Sequence, residues 1–274
     1  MKRIAFYGKG GIGKSTVSAN VAAAMAEQGL RVLLIGCDPK ADSSRTLLGR
    51  KIPSVLQVLQ ENSEPGLASL LFTGYAGVTC VESGGPKAGV GCAGRGIITA
   101  LEELRYYKVF EQSWDIIIYD VLGDVVCGGF SVPMRDGFVD EVYIVTSSEF
   151  MSLYAANNIL HSVGHFRESS ALSFGGLIHN HRSSFIDHNA AGRYAVQVGA
   201  RICGELPCFD EIISAELQAK TVLEAFPASA ASDSFRKLAE SILSLNDPPQ
   251  PGALEDDQME DFIAGIWKER KEGY

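Results

Sequence analysis

Short apolar runs alternate with longer amphipathic stretches along this chain. Residues 4–7 (Ile-Ala-Phe-Tyr), 31–36, 116–120 (Ile-Ile-Ile-Tyr-Asp), 141–145, 176–178 and 202–206 have strand length and end in polar or glycine-rich segments. Runs without a polar side predict strands covered on both faces, as in a parallel sheet. Helical spacing fills the gaps. Val17, Val21, Ala24 and Met25 share one face of a helix predicted over residues 16–27, and further helices are predicted over 97–107 and 154–166. Residues 53–73 read as helices and connections. The order predicts an α/β fold, a mostly parallel sheet flanked by helices. Residues 1–245 read as one domain. Asn246-Asp247-Pro248-Pro249-Gln250-Pro251-Gly252 reads as a linker. Beyond it Met259, Phe262, Ile263, Ile266 and Trp267 line one face of an amphipathic helix within 246–274, expected to pack on its own domain or on another subunit.

The loops after these strands carry the chemistry. Gly8-Lys9-Gly10-Gly11-Ile12-Gly13-Lys14-Ser15, followed by Thr16, reads G-x-x-x-x-G-K-S between a predicted strand and a predicted helix. That is the P-loop of nucleoside triphosphatases. Its backbone N–H groups and helix N-terminus bind phosphate oxygens. Lys14 is expected to reach the β- and γ-phosphates, and the Ser15 hydroxyl to ligate Mg²⁺. Lys9, directly after the first glycine, resembles the "deviant" Walker A lysine of a dimeric ATPase group, in which it reaches the partner subunit's nucleotide. An exposed loop lysine is the alternative from one sequence. Asp38, Lys40 and Asp42 follow the second strand; Asp38 and Asp42 are either near Mg²⁺ and the γ-phosphate or loop polars without a role. Asp120 ends an apolar strand in the Walker B manner and is expected in the Mg²⁺ shell. Asp124 is placed to position or activate the attacking water. His179 and His181 flank Asn180. A metal pair is one reading and loop polars the other, with Asn180 the better candidate as a nucleotide-base contact.

Net charge of −9 argues against nonspecific nucleic-acid binding. No apolar run reaches membrane-spanning length, and Met1-Lys2-Arg3 leads straight into a strand, so a soluble cytoplasmic protein without a membrane partner is expected. Six cysteines in such a chain suggest metal ligands or buried thiols rather than a disulfide scaffold. Cys37 reads as a buried thiol, and Cys203 and Cys208 as structural thiols. Cys92 and Cys127 differ from these because each sits among glycines, in Gly91-Cys92-Ala93-Gly94 and Cys127-Gly128-Gly129. Iron–sulfur clusters usually take four thiolates. Two chains related by a two-fold axis would supply four, so one [4Fe–4S] cluster bridging a homodimer is a hypothesis. Two unrelated loop thiols remain the alternative on spacing alone.

Taken together, Gly8 to Ser15, Cys37-Asp38-Pro39-Lys40-Ala41-Asp42-Ser43, Val81 to Pro86, Gly91 to Gly96 and Asp120 to Phe130 resemble the nitrogenase iron protein family, a match over roughly residues 2–180 at motif level. The family includes reductase subunits of protochlorophyllide, chlorophyllide, nickel-tetrapyrrole and methylthio-alkane reductases. The resemblance implies an ATP-dependent electron donor in which Lys9, Lys14, Asp38 and Asp124 are catalytic. It implies MgATP on Gly8 to Thr16, Lys40, Asp42 and Asn180, with Ser15 and Asp120 on Mg²⁺. It implies one [4Fe–4S] cluster per homodimer on Cys92 and Cys127 of both chains, a nitrogenase-like catalytic metalloprotein as partner, and ferredoxin or flavodoxin as electron source. Arg95 matches a docking-surface arginine that is ADP-ribosylated in some members.

Several segments depart from the family pattern. Pro207-Cys208-Phe209-Asp210 stands where Pro-Arg-Asp-Asn is usual, and His179 where a cysteine is common. Thr46 to Arg50 is more like the protochlorophyllide branch; Ser152-Leu153-Tyr154 is more like the nitrogenase and chlorophyllide branches. The mosaic points to a client other than ordinary dinitrogenase, such as methylthio-alkane reductase or a tetrapyrrole reductase. The rival reading is a non-redox partitioning or positioning ATPase, which needs no cysteine at 92 or 127. A cluster-assembly scaffold is a third, disfavoured by the lack of a Cys-x-x-Cys.

Overall fold

The computed structural model describes residues 1–85, 93–123, 128–129, 131–182 and 189–272, without the side chains of 93, 267 and 269–272. Its strands are β1 (Lys2–Tyr7), β2 (Val32–Gly36), β3 (Phe72–Thr73), β4 (Thr79–Glu82), β5 (Ile116–Asp120), β6 (Glu141–Thr146), β7 (Ser173–Asn180) and β8 (Ile202–Leu206). The helices are α1 (Lys14–Glu27), α2 (Arg45–Leu48), α3 (Val55–Glu61), α4 (Ala93–Tyr106), α5 (Val132–Arg135), α6 (Phe150–Ser170), α7 (Asn189–Val198), α8 (Asp210–Leu217), α9 (Val222–Ala225), α10 (Ala230–Leu243) and α11 (Asp256–Glu272). One sheet runs in the order β3-β4-β2-β5-β1-β6-β7-β8. It is parallel except for β3, which pairs antiparallel with β4.

Period-two alternation splits the strands between two cores. Ile4 and Phe6 of β1, with Ile116 and Ile118 of β5, face a layer built from α1 and α10, where Val17, Val21, Phe235 and Leu238 are buried. Ala5, Tyr7, Ile117 and Tyr119 face the opposite layer, where α4 and α6 contribute Leu101, Leu104, Ile159 and Leu160. Each fully buried Leu or Ile contributes about 1.5–3 kcal/mol, so these two layers dominate the stability.

The parallel register gathers the carboxyl ends of the strands at one edge. Asp120 pairs with Phe6 of β1 and with Gly36 of β2, so the segments after β1, β2 and β5 leave the sheet side by side. β6, β7 and β8 extend the edge to Thr146, Asn180 and Leu206.

The sequence reading missed β3 and β4. β4 reads Thr-Cys-Val-Glu, and its buried terminal Glu82 breaks the apolar run that would have marked it. Two helices are longer than expected. α4 begins at Ala93, inside the glycine-rich stretch, and α6 spans Phe150–Ser170. The C-terminal segment lies on the α6–α7 side. Asn157 of α6 donates to the Leu254 carbonyl at 2.8 Å and accepts from its N–H at 2.8 Å. Met259 is buried, and Phe262 stacks edge-on against Tyr194 of α7 at 5.9 Å. The expectation for Trp267 lies outside the described side chains.

Candidate functional site

A cleft of about 430 Å³ opens at the carboxyl edge of the sheet. Its floor is the loop between β1 and α1. Gly13 closes that loop in the left-handed conformation (φ +92°), directly before the first turn of α1. A Cβ there would be strained and would lie 2.6 Å from the Asn180 amide nitrogen, so only glycine fits. Asn180 Nδ2 donates to the Ile12 carbonyl at 2.7 Å and thereby ties the end of β7 to the loop.

Lys14 is the buried centre of the site. Its ammonium pairs with Asp120 Oδ1 and lies 3.5 Å from the Ser15 hydroxyl. Lys14 is 5 % exposed and Asp120 0 %. The second carboxylate oxygen, Asp120 Oδ2, is buried with no hydrogen-bond partner among the described residues. A buried carboxylate costs several kcal/mol unless a cation or donors satisfy it. The lysine therefore bridges the two groups expected to ligate Mg²⁺, and an unused oxygen lies beside it. The residues present fit a hard divalent cation with oxygen ligands.

The segment after β2 forms the next wall. Asp38 is buried, and its Oδ1 accepts from the Lys40 N–H at 2.9 Å in a local turn. Asp42 faces the cleft. Burial, then the nearby Asp38 carboxylate, push its carboxyl above the ordinary range. Just behind, Glu82 of β4 is 1 % exposed. Burial raises its carboxyl to about 7, against opposing hydrogen bonds from Ser44. Cys37 is fully buried; burial, then Asp120, push its thiol far up, which makes it an inert thiol as expected.

Of the residues named from sequence, Lys9, Gly10, Gly11, Gly13, Lys14, Ser15, Thr16, Asp38, Lys40, Asp42 and Asn180 line one cleft. Gly8 and Ile12 are buried beneath it, as is Asp120. The expectations at Cys92, Asp124 and Cys127 lie outside the described residues. Their neighbours carry information of their own. A Cβ built on Gly94 would lie 2.4 Å from the Gly129 Cα, and one on Gly129 would lie 2.0 Å from the Gly94 Cα. The two backbones touch where neither tolerates a side chain. Each glycine stands two residues after a cysteine in sequence, Cys92 and Cys127. Arg95 is exposed on the first turn of α4.

Several cleft residues escaped the sequence reading. Arg182 donates through Nη1 to the Gly11 carbonyl. Phe209 lines the cleft, and Glu216 of α8 accepts from Thr16 Oγ1 at 3.5 Å. Arg182 follows the predicted β7 run directly, so its position was readable; Glu216 comes from a helix without a motif. Cys208 is exposed at the cleft and so differs from the structural thiol expected there, whereas Cys203 is buried and donates to the Leu177 carbonyl at 3.2 Å. His179 is not a loop polar: it lies within β7, 2 % exposed.

Comparison with known proteins agrees with this geometry. The profile of the family described as "4Fe-4S iron sulfur cluster binding proteins, NifH/frxC family" matches residues 2–268. The chain is 50% identical over 263 residues to nitrogenase iron protein 2 of Methanothermobacter thermautotrophicus, covering 96% of this chain and 97% of the relative. It is 48% identical over 265 residues to the nitrogenase iron protein of Methanospirillum hungatei, covering 95% and 94%. Among solved structures it resembles the cell division ATPase MinD of Pyrococcus furiosus, with TM-score 0.70 at 21% identity, covering 89% of this chain and 99% of that one. A ParA family ATPase from Chlorobium tepidum superposes with TM-score 0.66 at 21% identity, covering 89% and 99%. These structural likenesses establish the α/β P-loop fold.

Proposed function

This chain belongs to the NifH/frxC family of 4Fe-4S iron sulfur cluster binding proteins, and from that premise we propose that it is a homodimeric reductase component that couples MgATP hydrolysis to one-electron transfer into a nitrogenase-like metalloenzyme. At family level an ATP-dependent reductase component with a 4Fe-4S cluster and MgATP follows from membership. The finer assignments are ours. Cys92 and Cys127 of each chain hold the cluster, which supplies a one-electron carrier when bound. The single observation that supports this reading is the backbone contact of Gly94 with Gly129, each of which stands two residues after one of these cysteines in sequence.

The nucleotide roles follow from the cleft. Loop N–H groups and the start of α1 bind the phosphates. Lys14 would reach the β- and γ-phosphates, and Ser15 and Asp120 would hold Mg²⁺, which supplies charge neutralisation at the phosphates when bound. Asp38 and Asp42 sense the γ-phosphate end, Asp124 positions water, and Lys9 acts across the dimer. Asn180, hydrogen-bonded to Ile12, supports the base-side wall. The seven-residue run from Asp120 to Cys127 links the two sites, so a change at Asp120 is transmitted toward the cluster ligand. Ferredoxin or flavodoxin supplies the electrons. The departures at His179 and at Pro207 to Asp210, of which Pro207, Cys208 and Phe209 line the cleft, favour a client other than ordinary dinitrogenase.

The test is anaerobic purification, iron analysis and EPR of the reduced protein with and without MgATP. About four irons per dimer and a signal that changes with MgATP are expected. No iron, with oxygen-insensitive ATPase activity, would move the assignment to a positioning-type ATPase. Efficient electron transfer to a standard dinitrogenase would overturn the assignment of the client.

A further inference from the structure

At the end of β7, three metal-ligating side chains converge, two of them on the residues that flank Asn180; His181 also lines the nucleotide cleft. His179 and His181 are two apart on an extended segment, so both project to the same side. Glu205 of β8 is the register partner of His179. The backbone continues the pairing, with the His181 N–H donating to the Leu206 carbonyl at 2.9 Å. One ligand atom from each residue lies within 4.8 Å of the other two, and His181 Nε2 stands 3.7 Å from Glu205 Oε2. The imidazole rings stack at 4.1 Å between centroids. Ser148 Oγ bonds His179 Nε2 at 3.2 Å and also accepts from the Ala191 N–H at 3.2 Å, which fixes the ring from the α7 side.

The geometry points to a divalent transition-metal site of the zinc class on His179, His181 and Glu205. Two imidazoles and one carboxylate are a borderline-soft donor set that suits Zn²⁺ and disfavours Mg²⁺ or Ca²⁺. Ligands bound at 2.0–2.2 Å in a tetrahedron stand roughly 3.4 Å apart, so the His181–Glu205 spacing needs only a small closure. Two of the three ligands are set by sheet register. The third ligand, Glu205, is 60 % exposed and gives both the room to close and a path for the ion. Such an ion would clamp β7 to β8. That clamp lies one residue from Asn180 on one strand and two from Pro207 on the other, and so fixes the side wall of the cleft. It uses none of the residues given to the cluster or to Mg²⁺, and it stands or falls apart from the reductase assignment.

Zinc content tests it. The cluster-containing protein is equilibrated anaerobically with micromolar Zn²⁺ in excess Mg²⁺, passed through gel filtration and analysed for zinc and iron together. About one zinc per chain is expected, with iron unchanged. Glu205→Gln, at an exposed position, and His181→Asn should each weaken zinc binding by at least the 10–100-fold that loss of an outer-shell partner costs a metal site, while iron stays at the wild-type level. Absence of zinc from the wild-type protein, or equal zinc in wild type and Glu205→Gln, would overturn the site and leave a stacked histidine pair held by Ser148.

Discussion

Glu82 is bonded twice to Ser44: one carboxylate oxygen accepts from the Ser44 N–H at 2.7 Å and from its hydroxyl at 2.6 Å. The contact joins the end of β4 to the segment that carries Asp38 and Asp42. The same exit is held to β2, where Ser83 donates through both N–H and Oγ to the Gly36 carbonyl at 2.8 Å. Gly85 then packs on Pro39, since a Cβ on it would lie 2.6 Å from the Pro39 Cβ. The contacts tie the segment after β4, as far as Gly85, to the nucleotide wall.

Glu82 gives the stability a pH dependence of definite sign. Burial raises its carboxyl in the native state to about 7 from an ordinary 4.5. The native protein therefore holds the proton more tightly than the unfolded chain. The resulting stabilisation is full below pH 4.5, declines as pH rises through 7, and is constant above. The shift corresponds to about 3 kcal/mol. Glu82→Gln keeps an acceptor for Ser44 but cannot ionise. Its denaturation midpoint should fall less than that of the wild type between pH 5 and pH 8. Parallel profiles for the two proteins would contradict the assignment.

Lys14→Ala removes the cation beside a fully buried Asp120 carboxylate. Leaving such a charge unpaired costs about 3–5 kcal/mol, partly relieved by protonation of Asp120. We expect a lower unfolding midpoint, loss of the MgATP-induced EPR change, and unaltered iron content. An EPR response to MgATP that survives in this variant would remove Lys14 from the phosphate site.

Cys92→Ala and Cys127→Ala should each lose the cluster, read as iron per dimer below a quarter of the wild-type value. Full iron in either variant would refute the ligand assignment. Both variants should still bind nucleotide, measured with a fluorescent ATP analogue, because the P-loop and Asp120 are unchanged in them.

Gly94→Ala and Gly129→Ala test the backbone contact itself. An added methyl must push two chains apart, at a cost of about 1–3 kcal/mol. Iron retention after air-free dialysis should drop in both variants, while Gly128→Ala, whose Cβ meets nothing within 4 Å, should retain iron. Equal retention in all three would show that the contact does not bear on the cluster.

Asn157→Ala breaks both hydrogen bonds to Leu254; the Leu254 N–H is left unsatisfied, while its carbonyl keeps the bond from His161 Nε2 at 2.9 Å. A loss of about 1–3 kcal/mol is expected for the one buried group left unpaired. Faster limited proteolysis after residue 245 would accompany it; an unchanged cleavage rate would mean that the Asn157 bonds do not anchor this segment.

The sequence by itself determined the α/β class, the central strands and the nucleotide end of the sheet. Those features are local. A P-loop needs its glycines in one short run, and β5 announces itself as three isoleucines, a tyrosine and Asp120. The family motifs were readable for the same reason, since each lies within a dozen residues. Tertiary structure alone decided what depends on distant pairings. β4 was hidden because Glu82, a buried acid, interrupts its apolar run, and its worth becomes visible only beside Ser44. Glu216 reached the cleft by the fold of α8, with no local signal. His179 and His181 were legible as alternating residues, but Glu205 lies on another strand. Only the parallel register of β7 with β8 sets the three side by side, because sheet pairing converts a separation of over twenty residues into neighbouring Cα positions.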